Sequence, residues 1–552
     1  MKRRTTLGLM AGVLATPALA ACGDGKTGEG DGGAPQALTV GMPNGPLTNN
    51  SNPFTPTSSA NSLGYRWLVY EPLAQVNQIA PEQPPTPWLA TAWEWAADFK
   101  SVKLTIRDGV KFSDGKPLTA EDVGFTFNMI KANDAFNGSA IPFDTITVTG
   151  NIVDLTFKSS QFVNQGRVLE SMVVPKHIWE PIADPTTDTN QNPIGTGPYT
   201  LKSWTAQVVT MVPRTDYWGG TPKVPEIRYT SYNDNNAQTT ALASGACQWS
   251  YVFMPNYQDV FVAKDKDHHK LWFPSGLGIH ALFLNIEKGA FKHTALRQAI
   301  NLVIDRQAIH VQGHASLYPL VDSPTGIPRP AGDAFISDKY KGQSQAVDVE
   351  KAKTVLAEGG FTLDGETLKD PDGNPVTFKL VDPAGWSDYL ADLQIIADSV
   401  KQLGIEATVE TMTVDAWTDA LAVGDFDASL HWTNTGNTPY DIYDCIMNGA
   451  HLEPLGKNAS WNFGRYRNED ATKALNDYAN AADDATRKAA MDLLQDLMVE
   501  QVPAIPLVAG PIGAEYSTKY WEGWPTAEDP YAMPQPTQAS ASMIVMKLTP
   551  AS

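Results

Sequence analysis

Hydrophobic and polar positions change rhythm along the chain, and each rhythm names an element. Ala37-Leu38-Thr39-Val40 reads as a first strand, followed by a turn-rich stretch with Pro43, Gly45, Pro46 and Pro53. A helix is expected over 59–69, stopped by Pro72, because a proline drives the residue before it out of the helical region. From Ser101 the pattern alternates. Val102, Leu104 and Ile106 face one side, and Lys103, Thr105 and Arg107 the other, which predicts a half-buried strand. Asp108-Gly109 is a turn dipeptide and Val110-Lys111-Phe112 the return. Thr119 to Asp122 has the spacing of a capping box and opens a helix with Val123, Phe127 and Ile130 on its apolar side.

The second half alternates helix with strand. Residues 349–358 predict a short helix ended by Gly359-Gly360. Leu393, Ile396, Ala397, Val400 and Leu403 have helical spacing, and Gly404 closes that helix. Ile405, Ala407 and Val409 then alternate with Glu406, Thr408 and Glu410 as a strand. Late in the chain Ala490, Leu494, Leu497 and Met498 line one helix face, with Pro503 and Pro506 framing the apolar segment beyond. Repeated helix–strand succession predicts α/β lobes. A chain of 552 residues exceeds one ordinary domain, so two or three lobes are expected.

The first 36 residues have a different character. Lys2, Arg3 and Arg4 precede an apolar run from Leu7 to Leu14, and small residues lead to Leu19-Ala20-Ala21-Cys22. This is the layout of an export signal, too short for a stable membrane span. Leu-Ala-Ala-Cys resembles the lipobox of bacterial lipoproteins. That resemblance implies a signal peptide over 1–21 and lipid on Cys22, with more than one acyl chain to hold the protein firmly. The Arg3-Arg4 pair leaves the general and twin-arginine export routes both open. Residues 22–36 are Gly-rich and polar and suit a flexible tether. No later segment is apolar enough to span a bilayer, so the body is expected to fold outside it, on the far side of the membrane, as a monomer.

Charge narrows the partners. Sixty-one acidic residues against 41 basic ones give a net charge of −20. That balance argues against a nucleic-acid partner, which needs a positive face. Cys247 and Cys445 read as two buried free thiols, with pairing as the alternative. His268-His269 lies in a polar loop and reads as solvated surface rather than a metal site. No cofactor is expected. Neither a zinc HExxH motif nor a Gly-x-Ser-x-Gly elbow occurs, and enzyme activity is not expected.

Four stretches carry a resemblance. They are Trp95 to Val123 (WAADFKSVKLTIRDGVKFSDGKPLTAEDV), Pro193 to Tyr199 (PIGTGPY), Asp216 to Pro222 (DYWGGTP), and a set formed by Phe283-Leu284-Asn285, Leu296-Arg297-Gln298-Ala299-Ile300 and Ile304-Asp305-Arg306. In this order they resemble the family 5 extracellular solute-binding proteins of ABC importers, the peptide, nickel and oligosaccharide group. The resemblance implies a two-lobe, periplasmic-binding-protein-like α/β fold with an inserted sublobe and a ligand cleft between the lobes. It places lobe I at 37–72, 196–296 and 508–552, the sublobe at 73–195 and lobe II at 297–507. Permease subunits of an importer are the implied partners, and a ligand closes the cleft by touching both walls. Gly195-Thr196-Gly197-Pro198 lacks the Lys of a phosphate loop and reads as a turn between lobes.

The ligand is read from aromatic and amide residues. The chain holds 15 Trp, and an indole can stack on a sugar face while amides bond its hydroxyls. Trp249 sits in a segment resembling the cello-oligosaccharide-binding branch. It is expected to line the cleft, so that its loss would weaken binding and spare stability. Trp67, Trp386, Trp417 and Trp432 are further candidates, with Asn434 and Asn437 after Trp432. Peptide binders of the family carry an acid just after this Trp to hold the peptide amine. Here Thr, Asn and Gly stand there, although Asp441 and Asp444 follow closely and could supply the charge. An oligosaccharide, such as a β-glucan fragment, is the expected ligand, and an oligopeptide or dipeptide is the alternative.

Overall fold

The structure is a computed structural model that describes residues 37–42, 47–81, 83–138 and 141–551. The signal peptide, Cys22 and the tether expected over 1–36 lie outside the described residues. Three sheets organise the rest. The first has seven strands in the order His269–Trp272, Ala514–Ser517, Trp249–Ser250, Leu38–Met42, Ile227–Ser231, Val208–Pro213 and Tyr199–Trp204. Its centre is parallel: Leu38–Met42 runs parallel to both Ile227–Ser231 and Trp249–Ser250, and the outer pairs are antiparallel. The second sheet has five strands, Glu406–Met412, Thr377–Pro383, Ala428–Trp432, Ser275–Leu284 and Ala504–Pro511. A four-stranded antiparallel sheet made of Ala90–Trp95, Ser101–Ile106, Ile152–Phe157 and Phe143–Thr149 forms the inserted sublobe. Among the described residues no helix is long and apolar enough to cross a membrane.

The periodicities locate the elements well. Val102, Leu104 and Ile106 are buried in the strand Ser101–Ile106. Thr119 and Asp122 form the capping box of the helix Ala120–Ala132, with the Asp122 carboxylate accepting from the Thr119 N–H at 2.9 Å. The helix Ser387–Lys401 and the strand Glu406–Met412 follow one another, and the strand lies parallel to Thr377–Pro383. The expected single helix over 59–69 is two short helices, Ser59–Leu63 and Arg66–Val69. The break falls at Gly64, packed against the Pro536 carbonyl.

Sheet membership shifts the lobe boundaries. Lobe I was expected to run to 296 and resume at 508. Yet Ser275–Leu284 pairs with Ala428–Trp432 and Ala504–Pro511, all in the second sheet. The chain therefore crosses into lobe II at 273–274 and returns at 512–513. The two crossings run side by side, since Ser275 pairs with Pro511. A methyl group on Gly513 would lie 2.3 Å from the Phe273 ring, so the return crossing has room for hydrogen only.

The family-like motifs are mainly architectural. Arg214 is buried, and its guanidinium donates to the carbonyls of Thr196 at 3.0 Å, Gly197 at 3.3 Å, Lys111 at 3.0 Å and Phe112 at 3.2 Å. It ties the Gly-Thr-Gly-Pro turn to the sublobe. Glu71 is fully buried beside that turn and accepts from Trp88 Nε1 at 2.7 Å, from the Tyr217 hydroxyl and from Trp218 Nε1 at 3.1 Å. Burial raises its pKa, and these donors oppose the rise. Asp216-Tyr217-Trp218 thus serves to hold the root of the sublobe.

A Cβ at Gly197 would meet the Leu68 carbonyl oxygen at 2.3 Å. The obstacle is backbone, which cannot swing aside. Gly197→Ala is expected to destabilise the protein by about 1–3 kcal/mol, the usual cost of overpacking. Urea unfolding measures this, and an unchanged midpoint would show that the turn can shift.

Candidate functional site

A cavity of about 580 Å³ lies between the lobes. Lobe I contributes Met42, Asn235 and the segment Tyr251-Val252-Phe253, which follows the strand Trp249–Ser250. Lobe II contributes His280, Tyr318, Trp386, Asp388 and Tyr389, and then Trp432 to Thr435. Gln78 of the sublobe and Gln535 and Gln538 of the C-terminal segment complete the wall. A wider depression of about 1230 Å³ lies on lobe II alone, among residues such as Lys353, Leu363 and Lys401. It touches one lobe only, so a solute there would bridge nothing. The interlobe cavity is the site that closure can sense.

Aromatic rings shape the lobe II wall. Trp386 sits at the N-cap of the helix Ser387–Lys401, where the chain turns in from Gly385. Its ring is half-buried and packs on Tyr389 at 5.4 Å, Trp417 at 4.9 Å and Trp432 at 6.2 Å between centroids. Trp432 keeps 41% of its surface exposed, unusual for so large an apolar ring. His431 stacks on it at 4.1 Å, and Trp417 packs on both rings, 5.2 Å from His431 and 6.0 Å from Trp432 between centroids. Burial lowers the pKa of His431 to about 4, which leaves the ring neutral at ordinary pH. The exposed indole is thus backed by a cluster of buried rings.

One carboxylate opens on the cavity. Asp388 keeps part of its surface there, although protein surrounds it closely. Loss of hydration raises its pKa. His314 and the N–H groups of the first helical turn oppose the rise. Behind it, His314 Nε2 lies 2.7 Å from Asp392 Oδ2, and both side chains are fully buried. His280 lines the cavity at 7% exposure, and burial pushes its pKa well down, so its ring is neutral. Tyr251 of lobe I and Tyr318 of lobe II meet hydroxyl to hydroxyl at 3.3 Å, a direct contact across the lobes. Among the described residues lining the cavity there is no Lys or Arg.

The site residues expected from sequence divide in two. Trp386, Trp432 and Asn434 stand on the cavity wall. Trp249, Trp67 and Trp417 do not, and each has a physical reason. Trp249 is fully buried at the centre of the first sheet, donates from Nε1 to the Pro534 carbonyl at 2.8 Å and packs on Trp524. Trp67 lies in the same core and donates to the Thr537 carbonyl at 2.9 Å. Trp417 is buried and donates to Ser429 Oγ at 2.9 Å, so it supports the cavity from behind. Asn437 stands beside Gly166 of the sublobe, away from the lining.

Further expectations resolve on the same evidence. Asp441 pairs with Arg167 of the sublobe, and Asp444 holds His451 at 3.0 Å and Asn448 at 2.7 Å. Neither carboxylate lines the cavity, so neither replaces the missing acidic anchor after Trp432. Cys247 and Cys445 are buried free thiols in different lobes. His269, read as surface, is instead buried, bonded to the Phe261 carbonyl and stacked on that ring at 4.3 Å. Asp388, Tyr251, Tyr318 and the amides at 78, 235, 535 and 538 were not singled out. Asp388 had a local signal, because it stands two residues after a loop Trp at a helix start. The amides had none, since three separate chain segments bring them together.

Residues 84–449 match the family model described as bacterial extracellular solute-binding proteins, family 5. The chain belongs to that family, and the two-lobe fold with an interlobe cleft agrees with it. A periplasmic oligopeptide-binding protein from Thermotoga maritima, described as part of an oligopeptide ABC transporter, superposes with a TM-score of 0.85 at 26% identity. The match covers 94% of this chain and 99% of that one. The same Thermotoga protein described with mannohexaose bound gives a TM-score of 0.81 at 26% identity, over 93% and 98% of the two chains. The oligopeptide-binding protein AppA of Bacillus subtilis is 27% identical over 405 residues, 69% of this chain and 70% of the relative.

The positions of the rings separate two kinds of substitution. Trp249→Ala is expected to cost about 3–5 kcal/mol of stability, as for a buried aromatic. Trp432→Ala should change stability by less than about 1 kcal/mol and act on binding instead. Denaturant unfolding of the two variants checks this, and an unperturbed Trp249→Ala would mean that its ring is not core.

Proposed function

We propose that this protein is an extracytoplasmic lipoprotein that binds an oligosaccharide, such as a β-glucan fragment, in the interlobe cleft and hands it to an ABC importer. The observation that carries the reading is the chemistry of the cavity wall. Its rings, above all the exposed Trp432 and the half-buried Trp386, offer apolar faces to pyranose rings. Its amides, Gln78, Asn235, Asn434, Gln535 and Gln538, offer paired donors and acceptors to hydroxyls. A zwitterionic peptide would bury its carboxylate with no Lys or Arg to meet it, which is costly. The mannohexaose-bound Thermotoga relative supports the reading through its fold and its printed ligand. Lipid on Cys22 and the Gly-rich tether would keep the binding body near its permease.

An oligopeptide is the second reading. Asp388 favours it, as a carboxylate open to the cleft that could hold a peptide amine, and so does the name of the Bacillus relative.

Thermal melts of the body from residue 37 onward separate the two. Cello-, manno- and xylo-oligosaccharides are compared with a mixed peptide pool. A ligand at 100 times its Kd should stabilise by about 2.7 kcal/mol. A rise with one sugar series supports the proposal, and a rise with peptides alone hands the site to the second reading. Anchoring has its own test. Labelled fatty acid should enter the wild type and not Cys22→Ser, and equal labelling of both would remove Cys22 from the account.

A further inference from the structure

The floor of the cleft is not neutral in the way its rim is. At the rim stand amides and the Trp432 indole. At the floor stands Asp388, the carboxylate that lines the cavity, surrounded by Trp386, Tyr389, Tyr251 and Tyr318. The charged form of a desolvated carboxylate needs a partner. Backbone N–H groups of the first helical turn reach it, but no lining residue supplies a positive charge. The nearest candidate cation, His314, is already joined to Asp392 at 2.7 Å. Asp382 and Glu515 are buried acids behind the cavity wall whose pKa values burial pushes well up, so they add no negative charge there. Asp382 accepts from the Leu430 N–H at 3.1 Å, and Glu515 accepts from the Val252 N–H at 3.2 Å while its Oε1 has no partner.

A second, independent feature lies beside it. His280 lines the same cavity, is more than nine-tenths buried, and its Nδ1 has no hydrogen-bond partner. Its ring is edge-on to Tyr389 at 5.3 Å and to Tyr318 at 5.9 Å. An unfilled imidazole nitrogen, a carboxylate without a counter-charge and a set of electron-rich ring faces share one need. A small cation with several N–H donors meets all of them, by ion pair, hydrogen bond and cation–π contact.

We infer that the Asp388–His280 floor is a subsite for one primary ammonium group, so that the favoured oligosaccharide carries an amino-sugar unit. This rests on the oligosaccharide reading for the remainder of the ligand, but the subsite itself does not. Trp432 and the amides then bind the neutral units, while Asp388 fixes which unit enters first. Asp388 and His280 both belong to lobe II, and Tyr251 of lobe I, which meets Tyr318 at 3.3 Å, lines the same cavity.

The test uses pairs of probes that differ only in acetylation of an amine, at a pH where the free amine is protonated. One pair is the glucosamine tetramer and the N-acetylglucosamine tetramer, with cellotetraose as the neutral reference. The other is a short peptide amide with a free or an acetylated N-terminus. Affinities are measured by calorimetry for the wild type and for Asp388→Asn, which keeps shape and hydrogen bonding. His280→Asn serves as a second variant, and thermal melts confirm that both are folded. The free-amine probe should bind about tenfold more tightly than its acetylated twin, and Asp388→Asn should abolish that preference. A preference in the peptide pair alone, lost in Asp388→Asn, upholds the subsite and removes the oligosaccharide reading. Absence of any amine preference, whether or not the neutral sugars bind, overturns the subsite. So does a preference that survives in Asp388→Asn.

Discussion

Everything in this molecule hangs on two strands of chain that pass side by side. The crossings at 273–274 and 512–513 carry the polypeptide between lobes, and they touch so closely that Gly513 has no space for a side chain against Phe273. On one side of them the first sheet is closed by Ala514–Ser517, and on the other the second sheet begins with Ser275–Leu284 and ends with Ala504–Pro511. The cavity opens directly beside this pair, with Gly510 and Ile512 in its wall. So narrow a joint suits rotation of the two walls toward each other as rigid bodies. The binding groups can therefore be held on firm supports and still be brought together.

Those supports explain the division of the aromatic residues. A large ring can face a solute only if something else holds it in place. Trp432 is held by the His431 and Trp417 stack, and Trp386 by Tyr389 and Trp417. Trp417 thus packs behind the rings that line the cavity without lining it itself. Trp249 and Trp67 serve the first sheet instead, each with its N–H spent on a carbonyl of the C-terminal segment. That same segment presents Gln535 and Gln538 to the cavity, so the core that buries these two rings also positions two of the amides.

Much of the architecture was legible because it is local. Val102, Leu104 and Ile106 announce their strand through spacing alone, and Thr119 with Asp122 announces a helix start. The motifs around Gly197 and Trp218 could be recognised, and their work becomes clear once Arg214 and Glu71 are seen to hold them. The site was less legible. Trp386 was read from its loop before a helix and Trp432 from its position in the family resemblance, and both rings line the cavity. Trp249 was misplaced, because the two residues that occupy its strand give no hint of whether the ring points to a cavity or to a sheet centre. The lobe boundary was misplaced for a related reason: Ser275–Leu284 is apolar throughout and would suit either sheet. Gln78, Asn235 and Gln535 come from distant positions, and only the folded chain unites them.

The first sheet also sets an order of events. Its central strand Leu38–Met42 comes from the beginning of the folded body, its neighbours Ile227–Ser231 and Trp249–Ser250 from the middle, and the next strand, Ala514–Ser517, from near the end. The five strands of the second sheet lie within one unbroken stretch, 275–511. Lobe II can therefore assemble from sequence it already holds, whereas lobe I has to wait for both ends of the chain and pay the loop-closure entropy that distant pairing demands. A two-walled cleft therefore depends on contacts between the beginning and the end of the folded body, while the second wall alone depends on neither.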